Sequence, residues 1–190
     1  MIAKMERRGA VCFAVFIVII ANSTVLSINA GDQAQKQIIT TYSPYSSALE
    51  TLEKQINYTF HRISLLRRAM THASFSEENN KALSVLGESI IETSVSLRYL
   101  LDDIDVSPKV INMKIAEIVN VESSCAVDGM RLRLHTVIRV SRKTNSTSPA
   151  VVCGAFRAIF GAIAIDTGSS DDAGNVFWNV HGRNGVVTSL

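Results

Sequence analysis

Carboxylate side chains that could hold a metal cation concentrate in one short stretch of the sequence, residues 77–92. Glu77 and Glu78 precede a segment with helical spacing, and Glu88 and Glu92 stand four residues apart within it. Four residues are about one helical turn, so Glu88 and Glu92 would share a face. Hard divalent cations such as Mg²⁺ prefer oxygen ligands and can activate water for hydrolysis. Because the same spacing is common on solvated helix faces, a plain polar surface is the favoured alternative.

Other residues that carry chemistry are scattered along the chain. The histidines are His61, His72, His135 and His181. Their spacing does not match a zinc site, and His72 is interpreted as structural because a general base needs a partner that the sequence does not identify. Ser74 and Ser84 lack the Gly-x-Ser-x-Gly context of a nucleophile elbow. The sequence therefore predicts neither a zinc centre nor a catalytic serine.

The first thirty residues have the layout of a secretory signal peptide. Three basic residues precede the apolar run 10–21, and small and polar residues follow it as far as Ala30. The run is shorter than the roughly 20 apolar residues that span a membrane, so an uncleaved anchor and an organelle transit segment are the less favoured alternatives. We expect routing to the secretory pathway, into the endoplasmic reticulum lumen or out of the cell, with mitochondrion or plastid as the runner-up.

Cysteines and glycosylation triplets agree with that route. Beyond the apolar run the chain has two cysteines, Cys125 and Cys153, which an oxidising compartment would allow to form a disulfide. Two separately buried thiols are an equal alternative. Asn57 and Asn145 each begin an Asn-x-Thr triplet and are candidate glycosylation sites. Such triplets also arise by chance, so they support the route without establishing it.

Charge argues against a nucleic-acid binder of the usual basic kind. The chain has 19 basic and 17 acidic residues, and removing residues 1–30 leaves equal numbers of each. Affinity for nucleic acid comes largely from Lys and Arg side chains that neutralise phosphates. Two dense basic stretches, residues 61–68 and 131–143, are interpreted as solvated faces of amphipathic segments. RNA binding is thus an open alternative rather than the expectation.

Apolar periodicity predicts an all-α fold. After Ser46, for example, Leu49, Leu52 and Ile56 recur at helical spacing. Pro108 disfavours helix at the residue before it and so ends a long helix. The later residues, from Asp166 onward, are rich in glycine and receive no assignment. The predicted helices begin at Ser46 and then cover residues 63–73, 79–101, 109–135 with an interruption at 122–124, and 151–165.

Three blocks in this order resemble the ribonuclease III endonuclease domain, a helical fold, over residues 46–170. The first, LEKQINYTFHRISLLRRAMTHASF, is a helix followed by Tyr-x-Phe and Thr-His-x-Ser. The second, NNKALSVLGESIIETS, is similar to the family signature N-E-R-L-E-F-L-G-D. The third, VVCGAFRAIFGAIAID, is similar to the family block A-D-x-x-E-A-L-I-G-A-I-x-L-D. The resulting layout is a signal peptide at 1–30, a linker at 31–45, the domain, and a C-terminal tail at 171–190 that could pack on it.

The resemblance implies a metal site whose carboxylates are mostly missing here. Family members cut double-stranded RNA with Mg²⁺ held by acidic residues of the second and third blocks. The matching positions are Lys81, Ser84, Glu88, Gly154 and Arg157. Only Glu88 is acidic, and each Lys or Arg in a ligand's place would oppose the cation by on the order of several kcal/mol. We therefore expect no cofactor and no hydrolysis of the family type.

The resemblance also implies pairing through the helix that carries the signature, where family members insert an aromatic side chain into a partner. Val85 stands at that position and would bury less area, a loss of ~1 kcal/mol per site. We expect a weak homodimer or a heterodimer, and a catalytically inactive interaction or structural module of the endomembrane system. Contact with a membrane is expected only through an uncleaved signal anchor. The alternative is a Mg²⁺-dependent double-stranded-RNA endonuclease or an RNA-binding or RNA-processing protein, acting with a competent partner.

Overall fold

A computed structural model describes residues 43–182, and every structural statement below concerns that range. The chain divides into two units, residues 1–47 and 48–190, and the second holds the fold described here. A π-helical turn at Val121–Cys125 and a short 3₁₀ turn at Leu134–Thr136 lie on either side of the short helix Ala126–Arg131. The α-helices are α1 Pro44–Ile56, α2 Ile63–Ala69, α3 Lys81–Asp102, α4 Pro108–Val119, α5 Ala126–Arg131, α6 Pro149–Thr167 and α7 Ser170–His181.

The all-α prediction is confirmed for residues 43–182, which contain no strand and a single isolated bridge between Thr71 and Arg139. That bridge ends α2 at Ala69, four residues before the predicted end. Helix α7 occupies the start of the stretch predicted as a C-terminal tail, and its aromatic side chains pack into the core. The predicted signal peptide at 1–30 and most of the predicted linker lie outside the described residues.

Helix α6 forms the centre of the core. Eleven of its residues, between Val151 and Ile163, are buried, which explains why its sequence has almost no polar face. The helix is long and apolar enough to cross a membrane by composition, but 61% of its apolar window is buried inside the fold. That burial is typical of a core helix. Phe156, Phe160 and Phe177 meet edge to face around it, with ring centroids 5.0 to 6.4 Å apart.

Helices α3 and α6 cross at unusually short distance because each has a glycine at the crossing. A Cβ atom on Gly87 would lie 1.8 Å from the carbonyl oxygen of Arg157, and one on Gly161 would lie 2.1 Å from the carbonyl oxygen of Leu83. Neither position has space for a side chain. The close crossing places the polar edge of α3 directly beside α6, and the candidate site lies on that edge.

The segment between α4 and α6 turns sharply at Asn120. Its side-chain Oδ1 accepts hydrogen bonds from the backbone N–H groups of Glu122 and Ser123, at 3.0 and 2.9 Å, as an N-cap does. The sequence predicted an interruption at 122–124, and the structure starts the break two residues earlier. The π-helical turn that follows brings Cys125 against α6.

Candidate functional site

An ion pair joins two of the positions that correspond to metal ligands in the ribonuclease III domain. Arg157 on α6 places Nη2 2.9 Å from Oε1 of Glu88 on α3. Lys81 and Ser84 lie on α3, and neither side chain bonds to this pair within residues 43–182. Gly154 lies one turn before Arg157 and has open space around it, since a Cβ there would meet nothing within 4 Å. Of five sequence-predicted positions, the structure thus brings two into contact.

The Arg157 guanidinium also holds the end of α4. The same Nη2 donates to the carbonyl oxygen of Val119, the last residue of α4, at 2.7 Å. A positive charge at the carboxyl end of a helix is favourable because the unsatisfied carbonyls there carry partial negative charge. The Arg157 side chain is only 15% exposed, and that of Glu88 is 35% exposed. One fixed cation therefore neutralises the remaining carboxylate and fixes a helix terminus.

The side chains at this place do not fit a divalent metal. Mg²⁺ needs several oxygen ligands in near-octahedral geometry, and one carboxylate, already paired with a guanidinium, remains. Within residues 43–182, no three His, Cys, Asp or Glu side chains are grouped so that they could hold a metal ion. The upstream acids Glu77 and Glu78 and the neighbouring Glu92 therefore form no relocated site in the described fold.

A disulfide lies beside the ion pair. The sulfur atoms of Cys125 and Cys153 are 2.07 Å apart and their Cα atoms 5.1 Å apart. Cys153 and Arg157 are four residues apart on α6, so they share one helix face. A covalent bond and the Arg157 hydrogen bond to Val119 consequently attach the α4–α5 segment to α6, along the face that carries the third block.

The two candidate glycosylation sites are both exposed. Asn57 follows α1 with a positive φ of 54°, and Asn145 lies in the polar loop before α6. The Asn145 Oδ1 accepts hydrogen bonds from the backbone N–H and the hydroxyl of Thr147, at 2.9 and 2.8 Å. Both asparagines are reachable by solvent, and glycosylation of them stays a prediction.

The functional interpretation of the sequence missed a buried carboxylate, Asp166, whose side chain is 0% exposed. It accepts hydrogen bonds from the Tyr58 hydroxyl at 2.8 Å and from the backbone N–H groups of His61 and Arg62 at 2.8 and 3.0 Å. The Arg62 guanidinium also donates to the carbonyl oxygen of Ile165. Asp166 thus ties the end of α6 to the start of α2. A signal was present, because Tyr58 belongs to the first family block and Asp166 ends the third.

The pKa values of Asp166 and Tyr58 are shifted in opposite directions. Burial raises the pKa of Asp166, but hydrogen bonds from Tyr58, His61 and Arg62 together outweigh it and hold that pKa below the usual range. Burial, and then the bond to Asp166, raise the pKa of Tyr58 to about 12. Asp166 is therefore ionised and Tyr58 neutral at ordinary pH, and the pair acts as a structural tie.

A second buried acid, Asp128 on α5, also escaped sequence reasoning. Its carboxylate lies 2.6 Å from Nδ1 of His181 and 3.1 Å from Nη2 of Arg131, and the His181 ring stacks on Phe177 with centroids 5.3 Å apart. No serine, threonine or cysteine bonds to His181 among residues 43–182. The cluster holds the end of α7 against α5. The separation of 53 residues gave no local signal.

His72 forms the bonds of a turn. Its Nδ1 accepts from the backbone N–H of Ser74 at 3.1 Å and lies 2.9 Å from the Ser74 hydroxyl, which in turn accepts from the backbone N–H of Ser141 at 3.1 Å. These contacts tie two distant segments together. They support the structural interpretation of His72.

A groove runs between α3 and α7. Trp178 donates from Nε1 to the Ser94 hydroxyl at 2.7 Å, and the Arg98 guanidinium lies 4.3 Å from the centroid of the Trp178 ring. The sequence gave no signal for this groove because α7 was unassigned. Trp178 thus contacts both Ser94 and Arg98, and these contacts do not suggest a reactive site among the described residues.

Known proteins are similar to this chain in sequence. A family model described as ribonuclease-III-like matches residues 62–178. The chain is similar to Protein NUCLEAR FUSION DEFECTIVE 2 of Arabidopsis thaliana, at 54% identity over 169 residues and 88% of each chain. It is 28% identical to Ribonuclease 3 of Staphylococcus saprophyticus, over 72% of this chain and 59% of that protein. The chain thus spans little more than half of that bacterial relative.

A solved structure has the same fold. The nuclease domain of ribonuclease III from Campylobacter jejuni matches with a TM-score of 0.67 and 26% identity, over 72% of this chain and 97% of that domain. That domain has a region involved in dimer formation. The family model, the sequence identity and the fold agree on one conclusion. This chain belongs to the ribonuclease-III-like family.

Proposed function

We propose that this protein is a ribonuclease-III-like module that does not hydrolyse RNA and works through contact with a protein partner. The ion pair between Arg157 and Glu88 carries the proposal. A guanidinium lies fixed against the remaining carboxylate. Unlike a metal ion, it cannot act as a Lewis acid that binds and activates water. The close α3–α6 crossing at Gly87 and Gly161 is intact, so the fold persists without the ligands that the reaction needs.

We propose further that the module acts in the endomembrane system and takes part in nuclear fusion, the karyogamy of plant reproduction. Three features support this: the signal-peptide pattern of residues 1–30, the exposed triplets at Asn57 and Asn145, and the Cys125–Cys153 disulfide. The relative at 54% identity is named for a defect in nuclear fusion. The nuclear envelope and the endoplasmic reticulum are one membrane system, so the route and the role agree.

The exposed face of α3 is the proposed pairing surface for a weak homodimer or a heterodimer. Val85, at the position of the family's inserted aromatic residue, is 68% exposed. The related Campylobacter domain has a region involved in dimer formation. A valine fills less volume than an aromatic ring, so the pairing would be weaker than with an aromatic side chain.

The test of inactivity is incubation of the purified protein with long double-stranded RNA and millimolar Mg²⁺ or Mn²⁺. We expect no cleavage, while a bacterial ribonuclease 3 run in parallel cuts the same RNA. Glu50→Ala, an exposed acid on α1, serves as the matched control for Glu88→Ala. Cleavage that is lost in Glu88→Ala and kept in Glu50→Ala would refute the proposal.

Two further measurements separate the rival functions. RNA cleavage that appears only when a competent ribonuclease III partner is added would support the alternative of an RNA-processing heterodimer. RNA binding that weakens steeply with salt would indicate an RNA-binding protein. For the route, we expect glycans on Asn57 or Asn145, and an unglycosylated chain recovered from mitochondria or plastids would contradict it.

A further inference from the structure

The structure brings together the two basic stretches that lie far apart in the sequence. The backbone N–H of His72 donates to the carbonyl oxygen of Arg139 at 3.0 Å, and the N–H of Arg139 donates to that of Met70 at 2.9 Å. The Ser141 N–H reaches the Ser74 hydroxyl at 3.1 Å. These bonds join the end of α2 to the segment after the 3₁₀ turn. We call the resulting surface the basic end; its members are Arg67, Arg68, Phe75, Arg139, Arg142 and Lys143.

The basic end is positively charged and has an exposed apolar ring. Residues 67–80 and 139–143 contain five basic and two acidic side chains. Within residues 43–182, no ion pair is formed by Arg67, Arg68, Arg142 or Lys143. Phe75 is 51% exposed, and the Arg139 guanidinium lies 5.0 Å from the centroid of its ring. An anionic partner with apolar side chains would suit this surface.

The last residues of α3 and the loop after it have the opposite character. They run Leu101, Asp102, Asp103, Ile104, Asp105, and we call this segment the acidic end. Leu101 is 85% exposed and Ile104 is 76% exposed. Its three carboxylates form no ion pair with a described residue. The nearby cation, Arg98, lies over the Trp178 ring instead.

The two ends lie at opposite termini of α3. The basic end adjoins the amino terminus, where the Asn80 N–H donates to the Thr71 carbonyl oxygen at 2.8 Å and Arg68 Nε donates to the Asn79 carbonyl oxygen at 3.1 Å. The acidic end lies at the carboxyl terminus of α3. A helix of 22 residues is about 30 Å long. The ends of one molecule are therefore too far apart to neutralise each other, because salt screens charges beyond about 8 Å.

We propose that the acidic end of one copy docks on the basic end of a second copy. Carboxylates of Asp102 and Asp105 would pair with the Arg142 and Lys143 side chains, and Leu101 and Ile104 would cover the exposed ring of the basic end. A second copy is favoured over RNA because this chain has both halves of the match, whereas RNA would leave two large apolar side chains of the acidic end uncovered.

The contact differs from the pairing surface around Val85. It joins two unlike surfaces, so each copy still has one free end and the association is open rather than closed. A five-residue loop on a shallow surface buries less than the roughly 1,200 Å² of a stable complex. The association is accordingly weak, reversible and sensitive to salt. It does not depend on whether the protein cleaves RNA.

Sedimentation of the full secreted protein tests this with two variants. One reverses the basic end with Arg142→Glu and Lys143→Glu, and the other reverses the acidic end with Asp102→Lys and Asp105→Lys. We expect the unmodified protein to show a weight-average mass that rises with concentration at low salt and returns to the monomer at high salt. Each variant alone should lose association by at least about tenfold.

The decisive sample is an equimolar mixture of the two variants. Each variant retains one intact end, and the two reversed ends are again opposite in charge, so the mixture should regain the association that each variant alone has lost. The pair Glu50→Lys and Lys54→Glu, exposed on α1, controls for charge reversal as such and should associate normally. Val85→Asp, which removes pairing through the other surface, should keep the salt-dependent part of the association. Circular dichroism checks that each variant is folded.

Three outcomes would overturn the proposal: no association of the unmodified protein at any concentration, unchanged association in either end variant, or a mixture that stays monomeric. Loss of RNA binding in the basic-end variant with unchanged association would assign that surface to RNA. None of these measurements uses RNA cleavage. A failure here is therefore distinct from a failure of the proposed inactivity.

Discussion

At the scale of single residues, Arg157 changes what the remaining carboxylate does. A divalent cation gathers several oxygens and leaves room for water, whereas a guanidinium offers hydrogen-bond donors in fixed directions. Arg157 directs one nitrogen to both Glu88 Oε1 and the Val119 carbonyl oxygen. Here the Glu88 carboxylate, through Arg157, stabilises the junction of three helices.

The first prediction concerns that junction. Arg157→Met should lower the free energy of unfolding by about 1 to 2 kcal/mol, because Glu88 and the Val119 carbonyl lose their charged donor. Glu88→Gln should cost less, since Gln retains an acceptor oxygen. Urea unfolding of both single variants and the double variant gives the coupling energy, which we expect at roughly 0.5 to 2 kcal/mol. Additive losses would show that the pair contributes nothing to stability.

The second prediction concerns acid pH and Asp166. Its folded-state pKa lies below the ordinary value of 3.8, so protonation favours the unfolded chain. The stabilisation is complete above the ordinary pKa and is lost as pH falls through the folded-state value. Asp166→Asn should therefore be less stable at neutral pH by about 1 to 3 kcal/mol and should lose less stability in acid. Asp102→Asn, at an exposed carboxylate, is the control. If the stability of Asp166→Asn fell in acid as steeply as that of the unmodified protein, the lowered pKa of Asp166 would be contradicted.

The third prediction concerns alkaline pH and Tyr58. Its pKa is raised to about 12 from 10.0, so the neutral phenol is favoured in the folded state. Its contribution is complete below pH 10.0 and is lost as pH rises toward the folded-state value. Tyr58→Phe removes the hydrogen bond to Asp166, should cost about 1 kcal/mol at neutral pH, and should flatten the alkaline fall in stability. Ultraviolet titration of the tyrosines measures the pKa directly.

At the scale of elements, the crossing of α3 and α6 decides how much of the family fold survives. Two glycines allow backbone to approach backbone there, and the buried apolar positions Leu83, Ile90 and Val95 follow the same face of α3. The site residues sit on the polar edges of these two helices. The packing face therefore does not depend on which side chains occupy those edges.

The fourth prediction compares two glycines of this pair of helices. Gly87→Ala should destabilise the fold by roughly 2 to 4 kcal/mol, because the added methyl group would lie 1.8 Å from a backbone oxygen. Gly154→Ala should be neutral or stabilise by up to about 1 kcal/mol, because its surroundings are open and alanine favours helix. Thermal unfolding of both variants measures the difference. If both substitutions changed the stability equally, the backbones of α3 and α6 would have moved apart to accommodate the added methyl group at Gly87.

The sequence predicted the long helices because their apolar stripes depend only on local spacing. It placed the end of α2 four residues late, since that end is set by Thr71 pairing with Arg139, a contact made across 68 residues. It left α7 unassigned because Gly174 weakens the helical pattern, although Phe177 packs into the core. Among the site residues, the sequence named Glu88 and Arg157 but not their ion pair. The spacing of residues along the sequence does not specify how α3 and α6 cross, and it is this crossing that brings the two side chains together.

At the scale of the whole molecule, cross-links hold the segment from α4 to α5 against α6. The π-helical turn and α5 contact α6 through the disulfide at Cys125 and Cys153 and through the packing of Gly129 against Val152. The disulfide requires an oxidising compartment. If the protein acts in such a compartment, its stability depends on that route.

The fifth prediction tests this dependence. Cys125→Ala with Cys153→Ala should lower the free energy of unfolding by roughly 2 to 4 kcal/mol, because closing a loop of this size restricts the unfolded chain. Reduction of the unmodified protein should produce the same loss, while the double variant should not respond to reductant. Peptide mapping without reduction should recover the two cysteines in one linked pair. Two free thiols in protein taken from the secretory pathway would reject the bond, and the argument from compartment would then rest on the signal segment and the glycans alone.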